Sequence, residues 1–313
     1  MTRSSELAIV LNPAAGGGQR YPEHRIDALR AIAGPHGVLF STADRDLVEA
    51  VADGVRERGV GTVAIIGGDG TVSSVVSALQ RAFSGAKMPP IALLRGGTMN
   101  TIANSLGVSR RQPEDLLRRL LAAPAAEPLR RATIKVGERV GFMFSTGIMV
   151  GFLNVLYRSS ELEQGPLGAL RLLGKGSWQA LMGGELIEEI ETPLLATLQV
   201  DDVVHPPRRY TVLGAATVEQ VGLGFRPFTR AGECADQFQL FAFHGSVQSL
   251  VRQLPRIRRG QPMVKGLGFD PLARRLQIET SGEPIPYALD GDVLEGGKTL
   301  LVEVGPQVEI RTF

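Results

Sequence analysis

Apolar and polar positions alternate in two different rhythms along the first third of the chain. Leu7 to Leu11 is an unbroken apolar run ended by Asn12-Pro13, which predicts a buried strand. Residues 22–33 predict a helix with Ile26, Leu29 and Ile32 on one side. Val38 to Phe40 predicts a short strand, and Asp44 to Arg58 a helix with Leu47, Val48, Val51, Ala52 and Val55 in phase. Thr62 to Ile66 is a β-branched strand, followed by a helix carrying Val72, Val75, Val76 and Leu79. Ile91 to Leu94 predicts a further strand, with a helix starting near Asn100 or Thr101. Strands alternating with helices of this length predict a parallel sheet covered on both faces.

The rhythm changes near residue 130. Short strands are predicted at 131–136, 140–145, 195–200, 211–218, 237–243, 275–280 and 299–304, interrupted by helical stretches at about 149–190 and 246–259. This reads as an α/β domain over 1–130, with the C-terminal segment 303–313 a candidate to complete it, and a β-rich domain over 131–302. Ala122 to Pro128 reads as the linker. A length of 313 residues fits two domains or one large one.

Composition narrows the function classes. With 43 % hydrophobic and 21 % charged residues the chain is globular, not disordered or fibrous. Lys plus Arg is 34 against 32 for Asp plus Glu, a net charge of +2, so a strongly basic nucleic-acid domain is excluded and no nucleic-acid partner is expected. Cys234 is the single cysteine, which excludes an internal disulfide and a cysteine zinc cluster and fits a reducing, cytoplasmic setting. Leu7–Leu11 is too short for a signal-peptide core, and no apolar run reaches about 18 residues. Membrane contact is therefore expected to be peripheral, at the inner face.

Glycine carries the chemistry. Three Gly-rich turns each follow a predicted strand: Asn12-Pro13-Ala14-Ala15-Gly16-Gly17-Gly18, Gly67-Gly68-Asp69-Gly70-Thr71 and Gly96-Gly97-Thr98-Met99-Asn100. In an open parallel sheet all three fall at the carboxyl ends of strands, where ligands bind. Glycine lets backbone N–H groups approach a phosphate, and a following helix adds its positive end. One such turn means little, since tight strand–helix turns use glycine for steric reasons; three together outline a polyphosphate site. Asp69, a carboxylate inside such a loop, reads as ordering the loop, holding Mg²⁺ or taking a proton, or else as the cap of a helix beginning near Thr71. Two decoys fail. Gly168 and Gly174 stand too far apart for a Walker A loop, with Gly176 where Ser or Thr is required, and no Gly-x-Gly-x-x-Gly follows the first strand.

Taken together, GGDGT after a strand, an upstream Asn-Pro-x-x-Gly, a downstream Gly-Thr-x-Asn and a late Leu289-Asp290-Gly291-Asp292 resemble the diacylglycerol kinase catalytic-domain family. That family spans bacterial diacylglycerol and related lipid kinases and the sphingosine and ceramide kinases, with NAD kinases and phosphofructokinases more distant. The resemblance implies an N-terminal Rossmann-like α/β nucleotide-binding domain and a C-terminal β-sandwich carrying the lipid site. It implies that ATP phosphates sit on Gly67, Gly68, Asp69, Gly70 and Thr71. Gly97, Thr98 and Asn100 of the third turn also face the nucleotide, as does Thr42, with Ser41 the register alternative, while Asn12 frames the first loop. Asp292 aligns with the catalytic base, Asp290 orients the site, and Mg²⁺ accompanies ATP.

The chain departs from the family pattern at several points. Asp292 stands for the usual Glu, Thr101 for an acid, and Arg95 for a small or Pro-like residue. An Asp-Asp-Gly-x-Leu-Asp stretch that holds a structural Mg²⁺ in some members is matched only by Ala235-Asp236-Gln237-Phe238-Gln239-Leu240, leaving Asp236 as the metal candidate. Residues 246–259 place Val247, Leu250, Val251 and Leu254 on one side, with Arg252, Arg256, Arg258 and Arg259 at the end and Lys265 beyond. Such a segment either rests on anionic lipid or complements its own helix dipole. Phe152, Leu153, Leu156, Leu167, Leu170, Leu172, Leu173, Trp178 and Leu181 read as an acyl-chain cleft or as core. The four histidines, His24, His36, His205 and His244, show no ligand spacing. The expectation is an ATP-dependent lipid kinase acting on a diacylglycerol-like or sphingoid hydroxyl, with room for a homodimer. The alternatives are an NAD kinase-like enzyme and a catalytically impaired nucleotide- or lipid-binding protein.

Overall fold

A computed structural model describes residues 6–15, 21–42, 47–123, 127–158, 168, 170–175 and 193–313. The chain divides into two compact units, Met1–Arg131 with Pro306–Phe313, and Ala132–Gly305. The architecture is mixed α/β with several sheets.

In the first unit β1 (Leu7–Leu11), α1 (Glu23–Ala33), β2 (Gly37–Ser41), α2 (Leu47–Arg58), β3 (Thr62–Ile66), α3 (Asp69–Phe83) and β4 (Ile91–Leu93) follow one another. Then come α4 (Thr101–Ser105), α5 (Pro113–Ala122) and β5 (Leu129–Arg131), and the last strand of the chain, β19 (Val308–Ile310), returns to this sheet. The order is β2-β1-β3-β4-β19-β5, parallel except for β5 against β19. The return is fastened by Arg311, whose N–H donates to the Ile91 carbonyl and whose Nη1 reaches Thr62 Oγ1 at 3.5 Å.

Every residue of β1 and β3 is buried, as a parallel strand covered on both faces requires. Leu7, Ile9, Leu11, Ala64 and Ile66 share a core with Leu29 of α1 and with Leu116, Leu117 and Leu120 of α5. Ala8, Val10, Val63 and Ile65 alternate to the opposite face and are buried there too. Each large side chain so buried contributes roughly 1.5–3 kcal/mol. The chain leaves β1 toward β2 on one side and leaves β3 toward β4 on the other. Right-handed crossovers then put α1 and α3 on opposite faces. The chain therefore leaves β1 and β3 toward opposite faces at the carboxyl ends of those strands, the position at which open α/β sheets bind ligands.

The second unit holds β6 (Ile134–Val136), β7 (Arg139–Gly141), β8 (Met143–Gly147), α6 (Ile148–Arg158), β9 (Leu194–Val200), β10 (Val203–Tyr210), β11 (Val212–Ala216) and β12 (Phe238–Phe243). It continues with α7 (Val247–Arg258), β13 (Gly268–Phe269), β14 (Leu272–Ala273), β15 (Arg275–Glu279), β16 (Pro286–Leu289), β17 (Asp292–Glu295) and β18 (Thr299–Val304). Two antiparallel sheets result, β10-β9-β15-β18-β6-β7 and β13-β12-β11-β8-β16-β17, with β14 paired to β12. Leu198, Leu276, Ile278 and Val302 of one sheet share a single core with Phe144, Leu213, Phe238 and Leu240 of the other. The alternate residues Val212, Phe241 and Phe243 face outward and receive Ile148 of α6 and Val247 and Ile257 of α7. The apolar stripe of α7 is thus turned onto the sheet. Leu156 is buried, Leu172 packs partly buried against this outer cluster, and Leu170 is exposed. Leu167, Trp178 and Leu181 lie outside the described residues.

The differences from the sequence reading have physical causes. The single strand expected at 131–136 is two strands in different sheets, β5 and β6, because the chain passes from one unit to the other between Arg131 and Ala132. β10 went unexpected because Pro206-Pro207 reads as a break. It lies at a sheet edge, where a missing N–H is tolerated, and its register shifts between His205 and Arg208. The β16–β17 hairpin turns on Asp290 and Gly291, with φ of 48° and 94°, the signature of a two-residue type I′ turn.

One ion pair joins α1 to α5. Arg25 donates from Nε to Glu114 Oε1 and from Nη2 to Oε2, both at 2.7 Å, and Tyr21 O–H donates to Oε1 at 2.8 Å. Burial alone would raise the Glu114 carboxyl, but the bonds from Arg25 and Tyr21 outweigh it and hold it at about 2. Since the unfolded carboxyl titrates near 4.5, this stabilisation is complete above that pH and is lost as the pH falls toward 2. Glu114→Gln should lower stability at pH 7 by about 1–2 kcal/mol, allowing for solvent screening of the pair. Urea melts at pH 7 and pH 3 check this: the gap between wild type and variant should narrow at the lower pH.

Candidate functional site

Two of the three Gly-rich turns interlock by backbone contact. A Cβ on Gly97 would lie 2.2 Å from Gly68 Cα, and one on Gly96 would lie 2.7 Å from the Gly67 nitrogen. These glycines are required where two loops touch, whatever else binds there. A Cβ on Gly67 would also strike the Thr71 side chain at 2.5 Å.

Polar side chains tie the same loops together. Asn12 Nδ2 donates to Thr71 Oγ1 at 2.9 Å, while its Oδ1 accepts from the Ala14 N–H at 3.0 Å. This bond ties the loop after β1 to the first turn of α3. The Asp69 carboxylate accepts from the Thr101 N–H at Oδ2 and the Ile102 N–H at Oδ1, each at 2.9 Å. Asp69 therefore caps α4, not the helix that it begins. Burial holds its pKa above the ordinary carboxyl value, although the amides of Ile102 and Thr101, the Thr101 hydroxyl and the charge of Arg95 act to lower it. Asn100, itself at φ 48°, accepts at Oδ1 from Gly96 N–H at 3.1 Å and Gly97 N–H at 3.0 Å, and its Nδ2 donates to the Gly97 carbonyl.

These bonds decide which donors remain for a ligand. The amides of Gly96 and Gly97 are taken by Asn100, so the third turn is held from within rather than offering those amides. At α3 the N-cap is Gly68 and no side chain caps the helix. Its first-turn amides are the donors that a helix leaves without an internal partner, and they sit at its positive end. Gly70 and Thr71 belong to that turn. Thr71, whose oxygen accepts from Asn12, has its own proton left to donate. Thr98 is exposed at the tip of the third turn.

The remaining residues fall into place unevenly. Thr42 is buried, and both its N–H and its hydroxyl donate to the Leu11 carbonyl, at 2.8 and 3.4 Å, whereas Ser41 is exposed. Gly16, Gly17 and Gly18 lie outside the described residues. Arg95, at φ 52°, neither stands free nor aims at the turns: it donates to the Val108 carbonyl at 2.9 Å and Asn104 Oδ1 at 2.6 Å. Asn104 in turn donates to the Met99 carbonyl at 3.0 Å, a brace with no motif to announce it.

In the second unit Asp290 is buried, and its carboxylate accepts from the Phe142 N–H at 2.9 Å and the Met143 N–H at 2.8 Å. Its oxygens fasten the hairpin turn to the backbone at Phe142 and Met143, and Asp292 follows the turn half-exposed. Asp236 is paired with Arg274. Among the described residues no group of three His, Cys, Asp or Glu side chains is placed to hold a metal ion.

Comparison with known proteins bears on the same segment as this loop assembly. Residues 6–129 match the diacylglycerol kinase catalytic domain. The matched span of this kinase-type domain contains Asn12, Asp69, Thr71 and all three turns. Among solved structures, a diacylglycerol kinase from Bacillus anthracis strain Sterne is similar over 99 % of this chain and 98 % of its own, with 15 % identity and a TM-score of 0.67. A second structure from that organism, assigned as a diacylglycerol kinase, covers 99 % of both chains with 16 % identity and a TM-score of 0.71. At this identity the likeness is one of fold. No curated protein sequence matches the chain.

Asp69→Asn keeps one acceptor oxygen and turns an N–H₂ group toward the other amide. It should destabilise the protein by about 1–3 kcal/mol, measured by urea unfolding, because a buried donor is left without an acceptor.

Proposed function

We propose that this chain is an ATP-dependent kinase that moves the γ-phosphoryl group to a hydroxyl of a diacylglycerol-like or sphingoid lipid. The observation that carries the reading is the uncapped N-terminus of α3, set at the carboxyl end of β3 and framed by the Asn12–Thr71 bond. An anion is stabilised at such a helix end by its amides and its dipole. In this reading the first unit is a Rossmann-like nucleotide-binding domain and the second a β-sandwich that receives the lipid.

Gly68, Gly70 and Thr71 supply donors to the triphosphate, with Thr98 exposed beside them. Asp69 orders the site by joining the second turn to α4. Mg²⁺ would be held chiefly by the nucleotide phosphates, since among the described residues no three acidic, His or Cys side chains converge to hold it. Bound there, it would neutralise part of the phosphate charge. Asp292 accepts the proton of the attacking lipid hydroxyl as the phosphoryl group transfers in line. Being one methylene shorter than the family's Glu, it depends on the hairpin to bring it forward. The protein works at a lipid surface from outside the bilayer, and no helix among the described residues is long and apolar enough to cross a membrane.

The test is transfer of label from γ-labelled ATP with Mg²⁺ to diacylglycerol, sphingosine, ceramide, phosphatidylglycerol and NAD offered separately. Label should appear in one lipid, and Asp292→Asn should lower kcat by roughly 10²–10⁴-fold with KM for ATP little changed. Label in NAD alone overturns the lipid reading. ATP binding with no transfer to any acceptor would replace the kinase with a nucleotide-binding protein.

A further inference from the structure

The β16–β17 hairpin reverses at Asp290 and Gly291, and Asp292 is the first residue beyond the turn. Asp290 fixes the turn from one side, since its N–H donates to the Met143 carbonyl at 2.9 Å and its carboxylate accepts from Phe142 and Met143. Gly141 leaves the space this needs, because a Cβ there would lie 2.6 Å from Asp290 Oδ2.

The peptide bond between Gly291 and Asp292 is held by the strand ladder at one end only, through the N–H of Asp292. In a two-residue hairpin the ladder bonds run between the residues that bracket the turn, here Leu289 and Asp292. The carbonyl of Gly291 is not among them, and glycine leaves this peptide more freedom than any other residue would. That carbonyl accepts a hydrogen bond from the Tyr157 hydroxyl at 2.7 Å. Tyr157 stands on the last turn of α6, a helix that packs against both β16 and β17. Because the peptide is planar, the pairing with Leu289 at its N–H and the Tyr157 hydroxyl at its oxygen fix its plane together. We infer that Tyr157 is a positioning residue for Asp292: its hydroxyl sets the direction in which the Asp292 side chain leaves the hairpin.

This inference rests on the reading of Asp292 as the base. Tyr157→Phe removes the donor and keeps the ring. In the full-length protein it should lower kcat roughly 10- to 10²-fold, the scale of a small misplacement of a reacting group. KM for ATP should stay within about twofold, and Tm should move only about 2–4 °C. In an Asp292→Asn background the same change should cause no further loss, because a residue that acts only through Asp292 has nothing left to position. Deuterium uptake by the 286–295 peptide, followed by mass spectrometry, should quicken in the Phe variant without any substrate present.

A kcat within twofold of wild type, an unchanged uptake, or a full additional loss in the Asn background would each overturn the inference. If uptake quickens while the wild type labels no acceptor, the restraint on the turn stands and the kinase reading is the one that fails.

Discussion

The carboxylate of Asp69 accepts two amide protons from the start of α4, and the geometry of the first-unit loops depends on that bridge. A carboxylate at the first position of a helix ordinarily serves that helix. Here it reaches across to another, which leaves the α3 amides open and closes those of α4. Since anions and helix N-termini attract, filling one N-terminus from within leaves the other as the positive end that the proposed nucleotide site uses. The glycines make the bridge feasible, because Gly68 and Gly97 approach more closely than any side chain allows. The loop glycines therefore have two physical duties. Gly96 and Gly97 let loop meet loop, while Gly68 leaves the α3 N-terminus without a capping side chain.

The second unit solves its own positioning problem in the same manner. A buried aspartate, Asp290, accepts the backbone amides of Phe142 and Met143 and so fastens the hairpin turn. In both units the acid is a structural acceptor, and a half-exposed polar residue follows two positions on: Thr71 beyond Asp69, and Asp292 beyond Asp290. Burial makes an unsatisfied carboxylate costly, so a site built on buried acids must surround them with donors before it can use anything nearby.

The helix α7 shows how packing resolves an ambiguous pattern. Its apolar stripe and basic end suit a lipid surface equally well on paper. In the fold Val247 is buried beside Phe241 and Phe243, and Leu250 and Val251 pack partly buried against the same core, while Leu254 stays half-exposed. Of its arginines, Arg258 donates to the Leu223 carbonyl at 2.8 Å and lies over the Phe225 ring.

The sequence by itself determined the alternating strands and helices of the first unit and the location of the three turns. Strong apolar runs such as Leu7–Leu11 and Thr62–Ile66 leave little freedom, and glycine clusters punctuate them. It also singled out Asp69, Asn12 and Asp292 by their place in short motifs. Only the tertiary structure decided what those residues touch. Asp69 and Thr101 are 32 positions apart, Asn12 and Thr71 are 59 apart, and Asp290 and Phe142 are 148 apart. No local periodicity encodes such pairings; they follow from strand order, which is set by how the whole sheet buries its apolar faces. The same holds for β10 and the β16–β17 hairpin, whose prolines and short runs read as breaks until a neighbouring strand supplies their partners. Tyr157 is the clearest instance: it looks like any aromatic residue near the end of an apolar helix, and only the packing of α6 against the hairpin brings its hydroxyl to the Gly291 carbonyl.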